Sequence, residues 1–312
     1  MKTYRLPPCR QRGIALLTVL TMMAVLMLLA ANYVLTVSRD TESIDTLNLR
    51  IQARYSAFSG IQYALFAMQD RDKEVRWTTD GKLYSVELAG GQVHARIMPE
   101  SGRLDINVAR PPLLRLLFEY AGADEEQAIQ LTDNVMHWRN RQDMPVGNSV
   151  MDADYESAGL PLPAHRRFYA IEELAKVHGV TAAMYQRVKT LITVYGSNKI
   201  NGLVAGEAMF LLLQLEPDAI AAIHNARDAY YADETPISPD VRGLSPFLTY
   251  NTRAGYYRVL AYATTADGHS EAVYSIIKNQ RGRDGAYREM ARGTVTGEAR
   301  KQLIQAVQTA QQ

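Results

Sequence analysis

The chain has 312 residues, of which 47% are hydrophobic, and it carries a formal net charge of +1. A chain of this length and composition can bury a sizeable core. The near-neutral charge argues against a dedicated nucleic-acid-binding protein. A single cysteine, Cys9, excludes a disulfide framework within the chain.

A long apolar segment follows a basic N-terminus. Residues 14–37 contain no charge, and a helix over this range would be roughly 36 Å long, enough to cross a hydrocarbon core of about 30 Å. Four cations precede it: Lys2, Arg5, Arg10 and Arg12. Because cationic flanks stay in the cytoplasm, this pattern places the N-terminus there and the rest of the chain across the membrane.

Gly13 marks the junction between the basic and apolar segments. The residues Gly-Ile-Ala-Leu-Leu-Thr-Val-Leu at 13–20 resemble the cleavage and methylation site of type IV pilin-like precursors. The resemblance implies that residues 1–13 are a prepilin leader, that a prepilin peptidase cuts after Gly13, and that Ile14 becomes an N-methylated mature N-terminus. An ordinary membrane anchor that happens to follow a glycine is the alternative.

Thr18 occupies the fifth position of the implied mature chain, where most pilin-like proteins have Glu. Placing a carboxylate at membrane depth costs roughly 2.5–3.5 kcal/mol of free energy, so a Glu is retained there only where it has a binding partner. A subunit at a filament tip has no neighbour above it, and Thr18 suits such a subunit. Over most of its length, to about Lys278, the chain resembles the minor pseudopilin K family of type II secretion.

The apolar helix is predicted to continue as a stalk to residue 70. Apolar residues recur there at steps of three and four, with charged residues between them, which is typical of an amphipathic helix that needs a packing partner. They are Ile44, Leu47, Ile51, Tyr55, Phe58, Ile61, Leu65 and Met68. A soluble coiled coil is the alternative.

Two stretches show the alternation typical of strands. Residues 84–97 form a predicted hairpin around Gly90-Gly91, and a second hairpin turns at Asp267-Gly268. We predict an α+β fold: a long transmembrane helix (14–70), a pilin-like antiparallel sheet (71–108 and 243–280) and an inserted all-α domain (109–242). The tail (281–312) is polar, which favours disorder, apart from one short helix predicted near Glu298–Val307.

The insertion contains three similar helix-turn-helix units, in which Asp124, Thr181 and Asp218 are the predicted N-caps. They resemble the helical domain of the protein K family, and residues 100–107 resemble the motif at which that family's sheet leads into it. A DNA-binding helix-hairpin-helix is the competing interpretation. It is disfavoured because the units lack a second turn glycine and carry acids that would repel phosphate.

The loop at 138–155 resembles a carboxylate-rich loop of the family that can hold calcium. Asp143, Asp152 and Asp154 are the candidate ligands. Calcium needs about six to eight oxygen ligands, and here Asn140 replaces an acid while Arg139 and Arg141 flank it. The composition therefore favours an ordinary polar loop over a calcium site.

The sequence offers no catalytic signature. It lacks Gly-x-Ser-x-Gly, the phosphate-binding Gly-x-x-x-x-Gly-Lys and His-Glu-x-x-His, and its six histidines are scattered. Ser275 and Lys278 match Ser-x-x-Lys, but a strand would direct them to opposite faces. We therefore expect no enzymatic activity.

The resemblance implies a minor pseudopilin at the tip of a type II secretion pseudopilus, where it initiates or caps assembly for protein secretion across the outer membrane. It implies a single-pass inner-membrane protein with a cytoplasmic N-terminus and a periplasmic globular part. The implied partners are two other minor pseudopilins, the prepilin peptidase, the inner-membrane secretion platform and the lipid bilayer, without nucleic acid. The alternatives are a minor pilin of a type IV pilus and a single-pass envelope adaptor.

Overall fold

A computed structural model describes residues 14–72, 74–88, 91–142, 144–233, 235–251, 254–280 and 287–310. The predicted leader, with Gly13, and the candidate ligand Asp143 lie outside these residues. The fold is α+β, with a long apolar helix at the N-terminus, an antiparallel sheet and several further helices. This confirms the predicted fold class.

Most of the helices lie in the chain between the second and the seventh strand. The helices are α1 (Ile14–Ala67), α2 (Pro111–Ala121), α3 (Glu125–Arg139), α4 (Asp152–Ser157), α5 (Ala182–Val188), α6 (Glu207–Leu212), α7 (Pro217–Asp233), α8 (Pro239–Arg242) and α9 (Gly297–Ala310). The strands are β1 (Tyr84–Leu88), β2 (Gly91–Pro99), β3 (Leu104–Asp105), β4 (Ile192–Thr193), β5 (Ile200–Asn201), β6 (Leu248–Thr249), β7 (Tyr256–Thr264), β8 (Ser270–Asn279) and β9 (Tyr287–Thr294). Two 3₁₀ turns lie at Glu100–Gly102 and Ile171–Lys176.

The main sheet has five strands in the order β1-β2-β7-β8-β9, and every pair is antiparallel. Both predicted hairpins are present, as β1–β2 and β7–β8. Because β2 and β7 are direct neighbours, the chain between them leaves the sheet at Pro99 and returns at Tyr256. The helices from α2 to α8 lie within this excursion and build their own core around side chains such as Leu114, Phe118 and Leu174.

The alternation of side chains gives the sheet two different faces. One face presents small and branched apolar residues, including Val93, Ala95, Ile97 and Ala261, and the second half of α1 packs on it. The other face carries His94, Arg96 and Met98 from the same strand. One strand therefore supplies an apolar wall on one side and basic groups on the other.

The face of α1 that packs on the sheet differs from the predicted one. Its buried residues are mostly small: Ala53, Ser56, Ala57, Gly60, Ile61, Ala64, Leu65 and Ala67. Of the predicted apolar stripe only Ile61 and Leu65 are buried, because small residues let the helix axis approach the sheet more closely than large ones would. At Gly60 an added Cβ would clash with Val93 Cγ1. Phe58 and Met68 are half-buried against the same cluster, whereas the four earlier residues of the predicted stripe are exposed.

The helical units of the excursion follow the predicted pattern with two differences. Asp124 accepts a hydrogen bond from the Gln127 amide at 2.8 Å, and Thr181 accepts one from the Met184 amide at 3.2 Å, so both are N-caps as predicted. Asp218 is not a cap, because α7 already begins at Pro217, whose fixed φ and missing N–H suit the first helical position. The second unit begins with the 3₁₀ turn at Ile171–Lys176 rather than an α-helix.

The interpretation of residues 281–312 as a mainly disordered tail was wrong for the part that the structure describes. Strand β9 pairs with β8 and extends the sheet, and α9 covers the second face with Leu303 fully buried. The polar composition of this segment did not indicate a strand, because β9 is a largely exposed edge strand. Helix α9 needs only Leu303 and Val307, one turn apart, to bury its apolar side.

His94 makes the stability of the sheet sensitive to mild acid. Its side chain is 2% exposed, and Nδ1 lies 2.7 Å from Ser85 Oγ. Burial lowers the pKa of His94 from its ordinary 6.5. The unfolded chain therefore takes up a proton at a higher pH than the folded chain does. We expect the stability contributed by neutral His94 to be full above pH 6.5 and to fall as the pH drops through that value.

Chemical denaturation of wild type and His94→Gln between pH 7.5 and 5 measures this effect. The glutamine variant should lose the part of the pH dependence that is due to position 94. Parallel curves for the two proteins would contradict the assignment.

Candidate functional site

The exposed side of α1 is the first candidate functional surface. Residues Leu16–Val34 have a mean hydropathy of 2.0, and none of them is buried in the molecule. Beyond this span the apolar residues Ile44, Leu47, Ile51 and Tyr55 are 43–69% exposed. We call these four side chains the stalk stripe. The stripe continues an apolar surface beyond the membrane-spanning length, where lipid would no longer cover it.

The stalk stripe and the sheet lie on different sides of α1. Each residue turns the helix by about 100°, so Tyr55 lies nearly 160° around the axis from the buried Ala53. The sheet therefore covers one side of the helix and leaves the stripe free for another molecule.

The second candidate region is the junction at which β2 leads into the helical domain. The Glu100 side chain is 1% exposed, and its Oε1 accepts a hydrogen bond from Arg258 Nε at 2.5 Å. Thr193 Oγ1, from β4, donates to the other carboxylate oxygen. One side chain thus joins the end of β2 to β7 and to the helical domain.

Several opposing effects act on the Glu100 carboxyl. Burial tends to raise its pKa, whereas the charges of Arg258 and Arg103 and the hydrogen bonds from Arg258 and Thr193 lower it. The lowering effects prevail, so the group is ionised in the folded protein at neutral pH. An ionised carboxylate at this depth is stable only because its partners are fixed around it.

Asp105 and Asn107 fix the next residues of the junction. The Asp105 carboxylate accepts hydrogen bonds from the amides of Asn107 and Gly196, each at 2.8 Å. Asn107 accepts from the Phe168 amide at 2.7 Å and donates to the Phe168 carbonyl at 3.0 Å. These contacts reach across as many as 91 residues of sequence. The motif at residues 100–107 therefore ties three distant parts of the chain together.

Two further side chains stabilise loops of the helical domain. Arg139 donates to the carbonyls of Ile106 and Ala109, each at 2.7 Å. Asn201 accepts from the Leu203 amide at 3.1 Å and donates to the Asn251 carbonyl at 2.8 Å. Both side chains have structural roles.

The candidate calcium ligands do not assemble a metal site among the described residues. Asp154 accepts from the Met151 amide at 2.9 Å and so stabilises the start of α4, while Asp152 lies in the first turn of that helix. Within the described ranges no three His, Cys, Asp or Glu side chains come close enough to hold a metal ion. The residues that are described do not fit calcium, and Asp143 remains outside them.

The remaining sequence-predicted positions lie apart from the junction. Ile14 begins α1, and Thr18 lies one turn further on its exposed apolar surface. Ser275 is buried in β8 and donates to Glu289 Oε1 at 2.8 Å, whereas Lys278 is exposed on the same strand. Ser275 and Lys278 therefore do not form a nucleophile and base pair.

Comparison with known proteins relates this arrangement to one family. Residues 100–197, which begin at Glu100 and include the junction, match the family model described as protein K of the type II secretion system. Residues 100–197 therefore carry the protein K domain of type II secretion. Type II secretion system protein K of Klebsiella pneumoniae is 27% identical over 203 residues, covering 57% of this chain and 61% of that protein. The Aeromonas hydrophila protein is 24% identical over 224 residues, covering 62% and 67%.

A solved structure shows the same fold. The crystal structure of the GspK-GspI-GspJ complex from the type II secretion system of enterotoxigenic Escherichia coli contains a similar chain, with a TM-score of 0.56 and 14% sequence identity. The match covers 83% of this chain and 98% of that chain. The matched region spans 61% of the length of the Klebsiella pneumoniae and Pectobacterium carotovorum relatives.

Sequence reasoning missed the buried pair of Glu100 and Arg258, which are 158 residues apart. A weak signal was present, because Arg96 and Arg258 are charged residues within strands that are otherwise uncharged. A charged residue in such a strand requires a partner, although the sequence does not say which one.

Proposed function

We propose that this protein K relative is a minor pseudopilin at the tip of a type II secretion pseudopilus, where it initiates or caps assembly of the filament. In this proposal α1 anchors the chain in the inner membrane, with the N-terminus cytoplasmic and the sheet and helical domain periplasmic. The protein acts by assembly and has no enzymatic activity. The match of residues 100–197 to protein K supports the type II system over a type IV pilus.

The observation that carries the proposal is the uncovered stalk stripe on a helix whose other side is packed on its own sheet. Four large apolar side chains spaced along about three turns are typical of a helix that binds another helix. The related crystal structure is of a GspK-GspI-GspJ complex, and we therefore propose two other minor pseudopilins as the partners.

The position at the tip is supported by Thr18 and by the shape of the chain. Thr18 lacks the carboxylate that would bind the N-terminus of a subunit above it. The helical domain between β2 and β7 adds bulk beside the sheet. A broad head is accommodated more easily at the end of a filament than within its shaft.

Photo-crosslinking tests the partner surface. Benzoylphenylalanine is placed at Leu47, in the stripe, or at Asp45, two residues earlier and about 160° around the helix. Both side chains are exposed. The full chain is expressed in membranes with the two other minor pseudopilins of its secretion system, and the crosslinked products are identified by mass spectrometry.

We expect crosslinks to the other minor pseudopilins from position 47 and few from position 45. Equal crosslinking from the two positions would contradict a specific helix interface. Crosslinks to unrelated envelope proteins only would favour the adaptor alternative.

Processing at the N-terminus is tested separately. We propose that a prepilin peptidase cleaves after Gly13 and that Ile14 is then N-methylated. Intact-mass and N-terminal peptide analysis of the chain, co-expressed with the peptidase, should yield a terminus at methylated Ile14 and an uncut Gly13→Ala control. An intact leader in both proteins would overturn the pseudopilin class.

A further inference from the structure

A cavity of about 430 Å³ lies on the second face of the sheet, opposite α1. Strands β2, β7 and β8 form its floor, because Arg96, Arg258 and Tyr274 point away from the face that carries α1. Helix α9 and the part of the helical domain around Tyr195 complete its walls. Its volume falls within the range of small-molecule sites.

Three arginines line this cavity: Arg96, Arg103 and Arg258. Of these only Arg258 has an ion-pair partner, Glu100. The Arg258 guanidinium also lies 5.4 Å from the centre of the Tyr274 ring, which holds it beside the cavity. Lys189 and Glu172 also line the cavity, so with the neighbouring Glu100 four cationic side chains stand against two acidic ones.

Arg96 and Arg103 are the members of the cluster whose side chains have no direct partner in the described ranges. Among the residues that the structure describes, neither side chain forms a hydrogen bond or an ion pair, and Arg96 Nε is buried without an acceptor. A buried donor without an acceptor costs about 1–3 kcal/mol, and more when it is charged. Arg96 contains such a donor, and Arg103, which has no direct partner in the described part of the chain, lines the same cavity, so folding alone explains this arrangement poorly.

The charge of Arg103 is costly to the folded chain. Burial, followed by repulsion from Arg258 and Arg96, lowers the pKa of Arg103 to about 10 against its ordinary 12.5, although Glu100 acts in the opposite direction. The side chain remains charged at neutral pH, but its charged form is less favourable in the folded protein than in the unfolded one. An anion bound in the cavity would stabilise the charged form of Arg103 and so offset this cost.

We propose that the cavity binds a carboxylate carried on a small apolar body, with Arg96 and Arg103 as its principal donors. A guanidinium matches a carboxylate with two parallel hydrogen bonds. Leu260, Ile276 and Val295 line the same cavity and provide an apolar wall for the rest of the ligand. The carboxylate can belong to a free organic acid or to the C-terminus of a polypeptide. This inference does not depend on the proposed pseudopilin function.

Titration calorimetry on the full chain in detergent micelles tests the proposal. The probes are N-acetyl-leucine and its amide, which differ only in the carboxylate, and inorganic phosphate. A four-residue peptide ending in leucine, with a free or an amidated C-terminus, distinguishes the two sources. We expect each free acid to bind at least about tenfold more tightly than its amide, as a charge-assisted pair requires.

Tighter binding of the peptide acid than of N-acetyl-leucine would identify a polypeptide terminus as the ligand, and the reverse order would identify a free acid. Equal binding of acids and amides, or no binding, would overturn the proposal. Phosphate binding as tight as that of N-acetyl-leucine would overturn the choice of an organic carboxylate.

The variants Arg103→Met and Arg96→Met test the donors, and Arg288→Met, an exposed arginine on β9, is the matched control. We expect Arg103→Met to weaken binding of the acid by at least about tenfold, while the melting temperature without ligand stays the same or rises. Arg288→Met should bind normally. Undiminished binding by both Arg103→Met and Arg96→Met would overturn the assignment. The wild-type comparison of acid with amide decides the proposal even if one variant fails to fold.

Discussion

Glu100→Gln is expected to lower the free energy of unfolding by about 3–5 kcal/mol, the usual cost of removing one partner of a buried ion pair. The amide keeps the size of the side chain but removes its charge. Arg258 is then left without a counter-ion next to Arg103. Chemical denaturation of the full chain in detergent at neutral pH measures the loss.

Glu173→Gln is the matched control. The side chains of Arg166 and Glu173 are 39% and 13% exposed and pair at 3.1 Å, and Glu173 Oε1 also accepts from the Tyr169 amide at 3.2 Å. Because this pair lies closer to solvent than the pair of Glu100, we expect a loss of only about 1 kcal/mol. If Glu100→Gln lowered the free energy of unfolding no more than this control does, Glu100 would not be the residue that stabilises the junction.

The effect of Glu100→Gln should also depend on pH. The folded-state pKa of Glu100 is below its ordinary 4.5. The stabilisation by its charge is therefore fully present above pH 4.5 and is lost as the pH falls through the folded-state pKa. The difference between wild type and variant should accordingly shrink in strong acid.

Gly60→Leu is expected to destabilise the contact between α1 and the sheet by about 3 kcal/mol, at the upper end for overpacking. Gly60 lies inside α1, about two turns before its end, where leucine is intrinsically the better helix former by up to about 1 kcal/mol. An added Cβ would nevertheless clash with Val93 Cγ1. The net loss would show that close packing outweighs helix propensity at this position.

Val93→Ala provides the test of this explanation. It removes the methyl group that an added Cβ would meet, so Gly60→Ala combined with Val93→Ala should cost less than the sum of the two single changes. Denaturation of the three variants measures this coupling. Strict additivity would mean that the clash is relieved elsewhere and that Gly60 is present for another reason.

The sequence predicted those elements of the fold that depend on local pattern. The uncharged run beginning at residue 14 gave the apolar helix, alternation gave β1, β2, β7 and β8, and cap residues such as Asp124 and Thr181 gave the starts of two helices. These features arise between residues a few positions apart, and their physical cause lies within the segment itself. Strand β9 was missed because an exposed edge strand needs no apolar alternation.

The candidate sites were less accessible to sequence reasoning. The motif at residues 100–107 was recognised, but the partners of its side chains are Arg258, Thr193, Gly196 and Phe168. The apolar stripe of α1 from Ile44 to Met68 was also recognised, although which of its members would stay exposed was not. A contact between residues more than 60 positions apart leaves no periodic signal in a single sequence.

By itself the sequence determined that this chain carries a membrane-length helix, an antiparallel sheet and a helical insertion. Hydrophobic periodicity and capping act over one or two turns, and residue order alone specifies them. Only the tertiary structure decided which side of α1 the sheet covers, and that a buried carboxylate joins the sheet to the helical domain. The tertiary structure also brings three arginines to one cavity. Packing and charge compensation act between segments that meet only when the whole chain has folded.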